Sequence, residues 1–362
     1  MAESVHEAGG EPSTRPPPGH CRITIHNGDS RSYFDVRRND LLLLSAIDQQ
    51  IDYPHNCRVG TCGRCKTKLL NGRISPMVDF ALSPLSNAEL QQGYILACQA
   101  KVRTDLEVAV KLGDHPALPP RSVSAVVSSW RRLPGEVIDL RLQLDQAMPY
   151  EAGQYAVLAA SGSFVRRSFS FYTPPPAPGG EGARELGFLV RRLPGGRFSD
   201  WLYAGDRTGT KIWVEGPFGV MGVDDPDRDA LCVAGGTGLA PILSIVADRL
   251  QRSDRARFTI VFGVRTAEDR FAETLLAELM AQAPGRIRLI TVLSHEPTDS
   301  AWQGPRGLVT APLDARLDFD FREGVAFICG SLPMVEAVEQ RLLALGMPAE
   351  RLHADKFIPS GF

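Results

Sequence analysis

Four cysteines constrain this chain more than any other feature. Cys57, Cys62 and Cys65 stand in the spacing C-x4-C-x2-C, and Cys98 follows after a longer gap. That is the ligand spacing of a plant-type [2Fe–2S] cluster. Two irons bridged by two sulfides need four thiolates at set distances, so a tight loop must supply three and a strand elsewhere the fourth. Gly60 and Gly63 let the loop turn with positive φ, which aims amide N–H groups at the sulfurs. Arg58 and Arg64 add positive charge at the rim. Zinc sites usually pair two short Cys hooks, and only Cys62–Cys65 makes one here. A Rieske centre needs two His ligands, and His55, just outside the loop, reads as a surface side chain. The pattern therefore predicts a one-electron carrier.

The length of 362 residues predicts two or three domains at the usual ~100–200 residues each. A formal net charge of −2 argues against a nucleic-acid binder. No apolar run reaches the ~18 residues of a membrane span, and the start Met1-Ala2-Glu3-Ser4 is neither basic nor apolar, unlike a secretory signal. With four cysteines assigned to a cluster, Cys21, Cys232 and Cys329 remain, too few for a disulfide framework. The chain is expected to be cytoplasmic, in a reducing compartment.

Residues 1–20 are polar and Pro-rich and predict a disordered tail. Residues 21–112 predict a small α+β domain: strands near 21–26 and 33–36, a short helix at 41–47, the cysteine loop, and strands at 66–70 and 94–98. Residues 113–121 form a stiff Pro-rich linker. Residues 122–224 carry short strands at 123–128, 137–142, 155–159, 165–172, 186–190 and 211–214, the spacing of a small antiparallel barrel. From 225 to 362 strands (230–234, 258–262, 287–293, 325–329) alternate with helices (239–252, 267–283, 333–345), which predicts a parallel sheet with helices on its faces.

The last domain opens with Gly235-Gly236-Thr237-Gly238 followed by Pro241, a glycine turn between a buried strand and a helix. Such a turn either binds a pyrophosphate at the helix N-terminus or is merely tight. Cys329-Gly330 ends another strand of the same sheet. Cys329 alone reads as a small buried hydrophobe. In the middle domain, Arg166-Arg167-Ser168-Phe169-Ser170 stands on a strand, and Gly195-Gly196 leads into a short helix carrying Ser199. A basic strand facing a helix start can hold a pyrophosphate. It can equally be an exposed strand beside an ordinary cap.

Together these motifs resemble the ferredoxin–NAD(P)H reductase superfamily. More narrowly, from about residue 20 onward, the chain resembles the three-domain reductase components of bacterial aromatic-ring and alkane oxygenases. The resemblance implies a plant-type ferredoxin domain, an antiparallel β-barrel flavin domain and an α/β nicotinamide domain. Arg167-Ser168-Phe169-Ser170 matches the family's R-x-Y-S flavin motif with Phe for Tyr. Arg167 would then hold the FAD pyrophosphate, Phe169 stack on the isoalloxazine and Ser170 lie near its N5. Gly196 to Ser199 matches the pyrophosphate turn, and Glu215-Gly216-Pro217-Phe218-Gly219 the exit from the barrel. Gly235, Gly236, Thr237, Gly238 and Pro241 match the nicotinamide-side G-G-T-G-x-x-P, and Cys329-Gly330 the C-G near the nicotinamide ring. A C-terminal aromatic, Phe357 or Phe362, is expected to shield the flavin.

The implied reaction passes hydride from a reduced nicotinamide to FAD, then single electrons through the cluster to a partner protein. Ser170 and Cys329 are the candidate catalytic residues, as orienting groups that align the reacting atoms. The family favours NADH, with NADPH possible: Arg265 could meet a 2′-phosphate, while Glu268 and Asp269 could accept from a ribose hydroxyl or simply open a helix. The expected partner is a terminal oxygenase, which could itself be a membrane hydroxylase, and the chain is expected to be a monomer. Arg58, Arg64 and residues 71–88 form the expected docking face. Alternatives are a reductase for a deoxysugar dehydratase or a non-catalytic redox sensor.

Overall fold

The computed structural model describes residues 15–55, 60, 65–75, 85, 87–113, 118, 120–160, 165–177, 180–219, 221 and 225–357. It divides into two compact units, residues 1–119 and 120–362. In the first unit, β1 (His20–Asn27), β2 (Ser30–Arg37), α1 (Leu42–Asp48), β3 (Lys66–Asn71), α2 (Asn87–Gln91), β4 (Tyr94–Leu96) and β5 (Leu106–Ala109) follow in order. Their sheet runs β2-β1-β5-β3-β4. The period-2 pattern of β1 buries Cys21, Ile23 and Ile25. These pack with Leu42, Leu43 and Ala46 of α1 in one core. β5 lies parallel to β1.

In the second unit the first six strands are β6 (Arg121–Leu133), β7 (Val137–Met148), β8 (Tyr155–Ala160), β9 (Arg166–Ser170), β10 (Ala183–Arg191) and, after α3 (Arg197–Tyr203), β11 (Lys211–Phe218). They pair antiparallel in the order β10-β7-β6-β11-β8-β9. A bridge between Phe171 and Phe188 joins the two ends of this sheet, which closes the expected barrel. Its interior is filled by alternate residues such as Leu140, Leu142 and Leu144 of β7.

The chain continues with β12 (Ala230–Gly235), α4 (Leu239–Arg252), β13 (Phe258–Val264), α5 (Glu273–Gln282), β14 (Ile287–Leu293), β15 (Val325–Ser331), α6 (Leu332–Ala344) and β16 (Leu352–Phe357). The sheet order is β14-β13-β12-β15-β16, and every described pairing is parallel. Cores lie on both faces, as parallel sheets require. The barrel is not independent of this sheet. Val137, Ala152, Tyr172, Leu189 and Met221 belong to the same cluster as Ile242, Ile245 and Val246 of α4.

The structure corrects several expected elements. The helix expected over 267–283 is broken. Thr266 and Asp269 form a capping box that closes a 3-10 turn at Ala267–Asp269. The chain then leaves the helical path so that Phe271 can pack edge-on against Phe262, 5.6 Å between centroids. The strand expected over 94–98 ends at Leu96, and Cys98 stands in the following turn. Strands β5 and β16 were not expected. β5 has only four residues, and Leu-His-Ala-Asp-Lys-Phe of β16 lacks the apolar alternation of a strand because it lies at the sheet edge.

One glycine sets the geometry of the parallel sheet. A Cβ at Gly238 would collide with the carbonyl of Cys329 and lie 3.0 Å from the amide nitrogen of Gly330. Gly238→Ala is therefore expected to destabilise the protein by about 3 kcal/mol, at the upper end of overpacking costs. Gly205→Ala, which adds a methyl to open space, should change stability by less than about 0.5 kcal/mol. Urea titration of the full chain followed by circular dichroism compares the two.

Candidate functional site

The cysteine loop begins from a buried anchor. Tyr53 is fully buried, and its hydroxyl bonds the Thr67 hydroxyl at 2.8 Å. Thr67 Oγ1 donates to the Cys65 carbonyl at 3.2 Å. The two ends of the loop are thus tied together. Ala97 donates its amide to the Cys65 carbonyl at 3.1 Å, and Leu43 of α1 donates to the Ala97 carbonyl at 3.1 Å. This chain of bonds sets the Cys98 turn against Cys65. Their sulfurs lie 3.3 Å apart, both buried, and no disulfide joins them. A disulfide would need ~2.05 Å, whereas two thiolates on one tetrahedral ion, at ~2.3 Å each, sit ~3.7 Å apart. At 3.3 Å the pair lies well beyond disulfide length and close enough for both sulfurs to face one metal site. Gly60, with φ +91°, lies so close to Gln99 that a Cβ would stand 2.9 Å from its Cγ. Cys57, Cys62, Gly63, Arg58 and Arg64 lie outside the described residues.

In the barrel, β9 pairs with β8 so that Ser170 faces Tyr155, Phe169 faces Ala156 and Arg167 faces Leu158. Ser170 is buried, Arg167 and Phe169 are half-buried, and Ser168 is exposed. The Phe169 ring lies 5.3 Å from that of Phe198, the second residue of α3. That contact brings the flavin motif of β9 to the start of α3. Gly196 is the N-cap of α3. A Cβ there would stand 2.6 Å from Ser199 Oγ and 2.8 Å from the Leu193 carbonyl oxygen. The Ser199 hydroxyl accepts from the Leu193 amide at 3.0 Å and so closes the turn. A backbone cradle without side chains at a helix start suits a pyrophosphate. Arg166, not Arg167, pairs with Glu215 of β11.

Gly235, Gly236, Thr237 and Gly238 link β12 to α4 through one 3-10 turn, and Pro241 lies in the buried first turn of α4. Gly236 has φ +55°, and Arg191 Nη1 at the end of β10 would be 3.7 Å from a Cβ there. Cβ atoms at Gly235 and Gly330 would both press on the Met334 thioether, at 2.5 Å and 2.9 Å. At the carboxyl ends of β12 and β15 the Met334 side chain thus packs directly on glycine backbone, a close approach that a larger residue at Gly235 or Gly330 would block.

The Cys329 thiol is wholly buried in the core, and burial, with Asp355 nearby, pushes its pKa well above the usual thiol range. It is a neutral thiol. Burial likewise pushes the Cys232 thiol up to about 12. Arg265 is exposed at the end of β13, and Glu268 is also exposed. The Asp269 carboxylate accepts from the Thr266 amide and hydroxyl, both at 3.1 Å, and lies 3.9 Å from Arg191. Asp269 is thus committed to a cap. Phe357 is half-buried at the last position of β16, opposite Ser331, against the shared core. Phe362 lies outside the described residues.

Sequence reasoning missed Met334, Arg191 and the ion pair in which Arg192 Nε donates to Asp200 Oδ1 at 2.7 Å. No short motif marks them, because each acts across a turn or between elements distant in sequence. Native protein treated with iodoacetamide near pH 8 is expected to leave Cys232 and Cys329 unmodified, with both alkylated after denaturation. Peptide mass mapping reads this out.

Three family models match the chain in order: a 2Fe-2S iron-sulfur cluster binding domain over residues 25–103, an oxidoreductase FAD-binding domain over 124–222 and an oxidoreductase NAD-binding domain over 232–340. The chain is 36% identical to the xylene/toluene monooxygenase electron transfer component of Pseudomonas putida, over 94% of this chain and 95% of that protein. It is 31% identical to a ferredoxin–NAD(P)(+) reductase of Metapseudomonas resinovorans, over 87% of this chain and 94% of that one. A solved cytochrome P450 reductase of Amycolatopsis superposes with a TM-score of 0.76 at 30% identity, over 93% of this chain and 99% of that one. Cluster loop, barrel and parallel sheet thus meet three domain families in one order, and the chain belongs to the three-domain iron–sulfur flavoprotein reductases that serve as components of multicomponent oxygenases.

Proposed function

We propose that this oxidoreductase draws electrons from NADH and delivers them singly to a terminal oxygenase. The observation that carries the reading is the order of three carrier domains in one chain, shared over nearly full length with the electron transfer component of a xylene/toluene monooxygenase. A flavin held by the FAD-binding domain would supply the exchange between two-electron and one-electron chemistry that such a chain needs.

The domains are proposed to span 21–112, 122–224 and 225–362. Within them Cys57, Cys62, Cys65 and Cys98 ligate the cluster. Arg167 holds the FAD pyrophosphate against the turn of Gly196 and Ser199, Ser168 lies beside it, and Phe169 offers its ring face to the isoalloxazine. Ser170 orients the reacting edge. Gly235, Gly236, Thr237, Gly238 and Pro241 form the coenzyme turn, with Cys329 and Gly330 beside it. The wholly buried Cys329 supports a packing role for its thiol and a coenzyme-facing role for its backbone. The commitment of Asp269 to a cap leaves exposed Arg265 and Glu268 to read the ribose. Half-buried Phe357 is the proposed shield for the flavin. Among the described residues no helix is long and apolar enough to cross a membrane. The proposed setting is the cytoplasm, and the proposed state a monomer.

Cys62→Ser is expected to abolish NADH-dependent cytochrome c reduction while sparing ferricyanide reduction. Equal loss, or equal survival, of both activities would contradict this order of carriers. Arg167→Ala is expected to weaken FAD binding about ten- to hundredfold, since hydrogen bonds to charged groups contribute ~1.5–3 kcal/mol. FAD content after gel filtration measures it. Product formation with candidate oxygenase components identifies the acceptor.

A further inference from the structure

We infer that the Arg192–Asp200 ion pair neutralises and positions the Gly195–Gly196 turn for the FAD pyrophosphate, with Arg192 masking a carboxylate that would otherwise repel it. The inference rests on the proposed seating of FAD at that turn. Asp200 lies in the first turn of α3. Its Oδ2 accepts from the Gly195 amide at 2.8 Å, one residue before the N-cap Gly196. A negative charge therefore stands at the rim of a cradle meant for an anion. Its other oxygen, Oδ1, accepts from Arg192 Nε at 2.7 Å.

Arg192 is itself held from three sides. Its Nη1 donates to Glu136 Oε1 at 2.9 Å, and its amide donates to the Glu136 carbonyl at 2.9 Å. Its guanidinium lies 5.2 Å from the Tyr203 ring centroid, and Arg132 lies 4.6 Å from the same ring. Glu136 is placed by a turn in which it adopts φ +55°. The hairpin between β6 and β7 thus holds Arg192, which holds Asp200, which holds Gly195. The chain runs from the barrel edge to the backbone of the turn, with no side chain of it needed in contact with FAD. Asp200 shapes the turn through one hydrogen bond, and Arg192 removes the electrostatic cost of having a carboxylate there. Removing either partner breaks the bridge, but the loss of Asp200 leaves Arg192 paired with Glu136, whereas the loss of Arg192 leaves both carboxylates without their cation, Asp200 being the one bonded to the turn.

The test is FAD affinity of the full chain, stripped of flavin with its cluster intact and titrated by flavin fluorescence. Arg192→Gln is expected to weaken FAD about tenfold at low salt, the scale of one unmasked charge several ångströms from an anion. The deficit should shrink in high salt. Asp200→Asn, which keeps an oxygen for the Gly195 amide, should lose no more than about threefold. The double variant Arg192→Gln/Asp200→Asn should recover most of the affinity lost by Arg192→Gln, and Arg192→Lys should stay near the starting value. Equal losses in all variants, insensitive to salt, would reduce the pair to a structural brace and overturn the charge masking. Gly196→Val separates the two readings, since its side chain enters the cradle against Ser199 Oγ. If it releases FAD while Arg192→Gln does not, the turn binds FAD and the inference is wrong. If neither changes FAD affinity, the seating of FAD at this turn fails as well.

Discussion

At the carboxyl ends of β12 and β15 two stretches of backbone meet with no side chain between them. Gly238 lies against Cys329 and Gly330 so closely that no other residue fits. That approach sets the direction in which α4 leaves the turn. α4 then passes along the sheet with almost every residue buried. Its Ile245 reaches the barrel at Gly153, where φ is +83° and a Cβ would collide with the Met221 carbonyl and stand 3.0 Å from Ile245. The same helix therefore follows directly from the turn at residues 235–238 and carries the wall on which the barrel rests. The two halves of residues 120–362 therefore share one hydrophobic core.

The ionisable groups around these sites are used for support rather than for proton chemistry. Buried Asp139 accepts from Tyr172 at 2.7 Å and from Arg131 at 2.8 Å, so its charge is satisfied inside the barrel wall. Asp269 caps a turn. The thiols of Cys232 and Cys329 are held neutral by burial. Such an inventory suits a protein whose carriers do the chemistry and whose side chains supply position.

The cysteine spacing and the strand–helix alternation were legible because they are local: each needs only neighbouring residues to declare itself. The six barrel strands could be read from their alternation and their turn residues. β16 escaped because an edge strand with one buried residue, Asp355, carries no apolar period. The break at Arg270–Ala272 escaped because Phe271 is drawn out of the helix by a partner on β13, nine positions upstream. The site shows the same division. The glycine motifs could be read as turns, yet what they are bare against, Met334 for Gly235 and Gly330, and Cys329 for Gly238, is decided by tertiary contact. The exposure of Arg265 and the capping duty of Asp269 likewise depend on where the 3-10 turn at Ala267–Asp269 begins and ends, which composition does not specify.

Because β16 runs parallel to β15, its last residue, Phe357, arrives opposite Ser331 at the same rim of the sheet as Gly235 and Gly330. Whatever follows Phe357 starts at that rim. The choice of fusion terminus is then not neutral: a purification tag or fluorescent reporter attached downstream is tethered at the glycine-lined rim proposed for the coenzyme, whereas one placed ahead of residue 20 is tethered to the unit that carries the iron–sulfur domain.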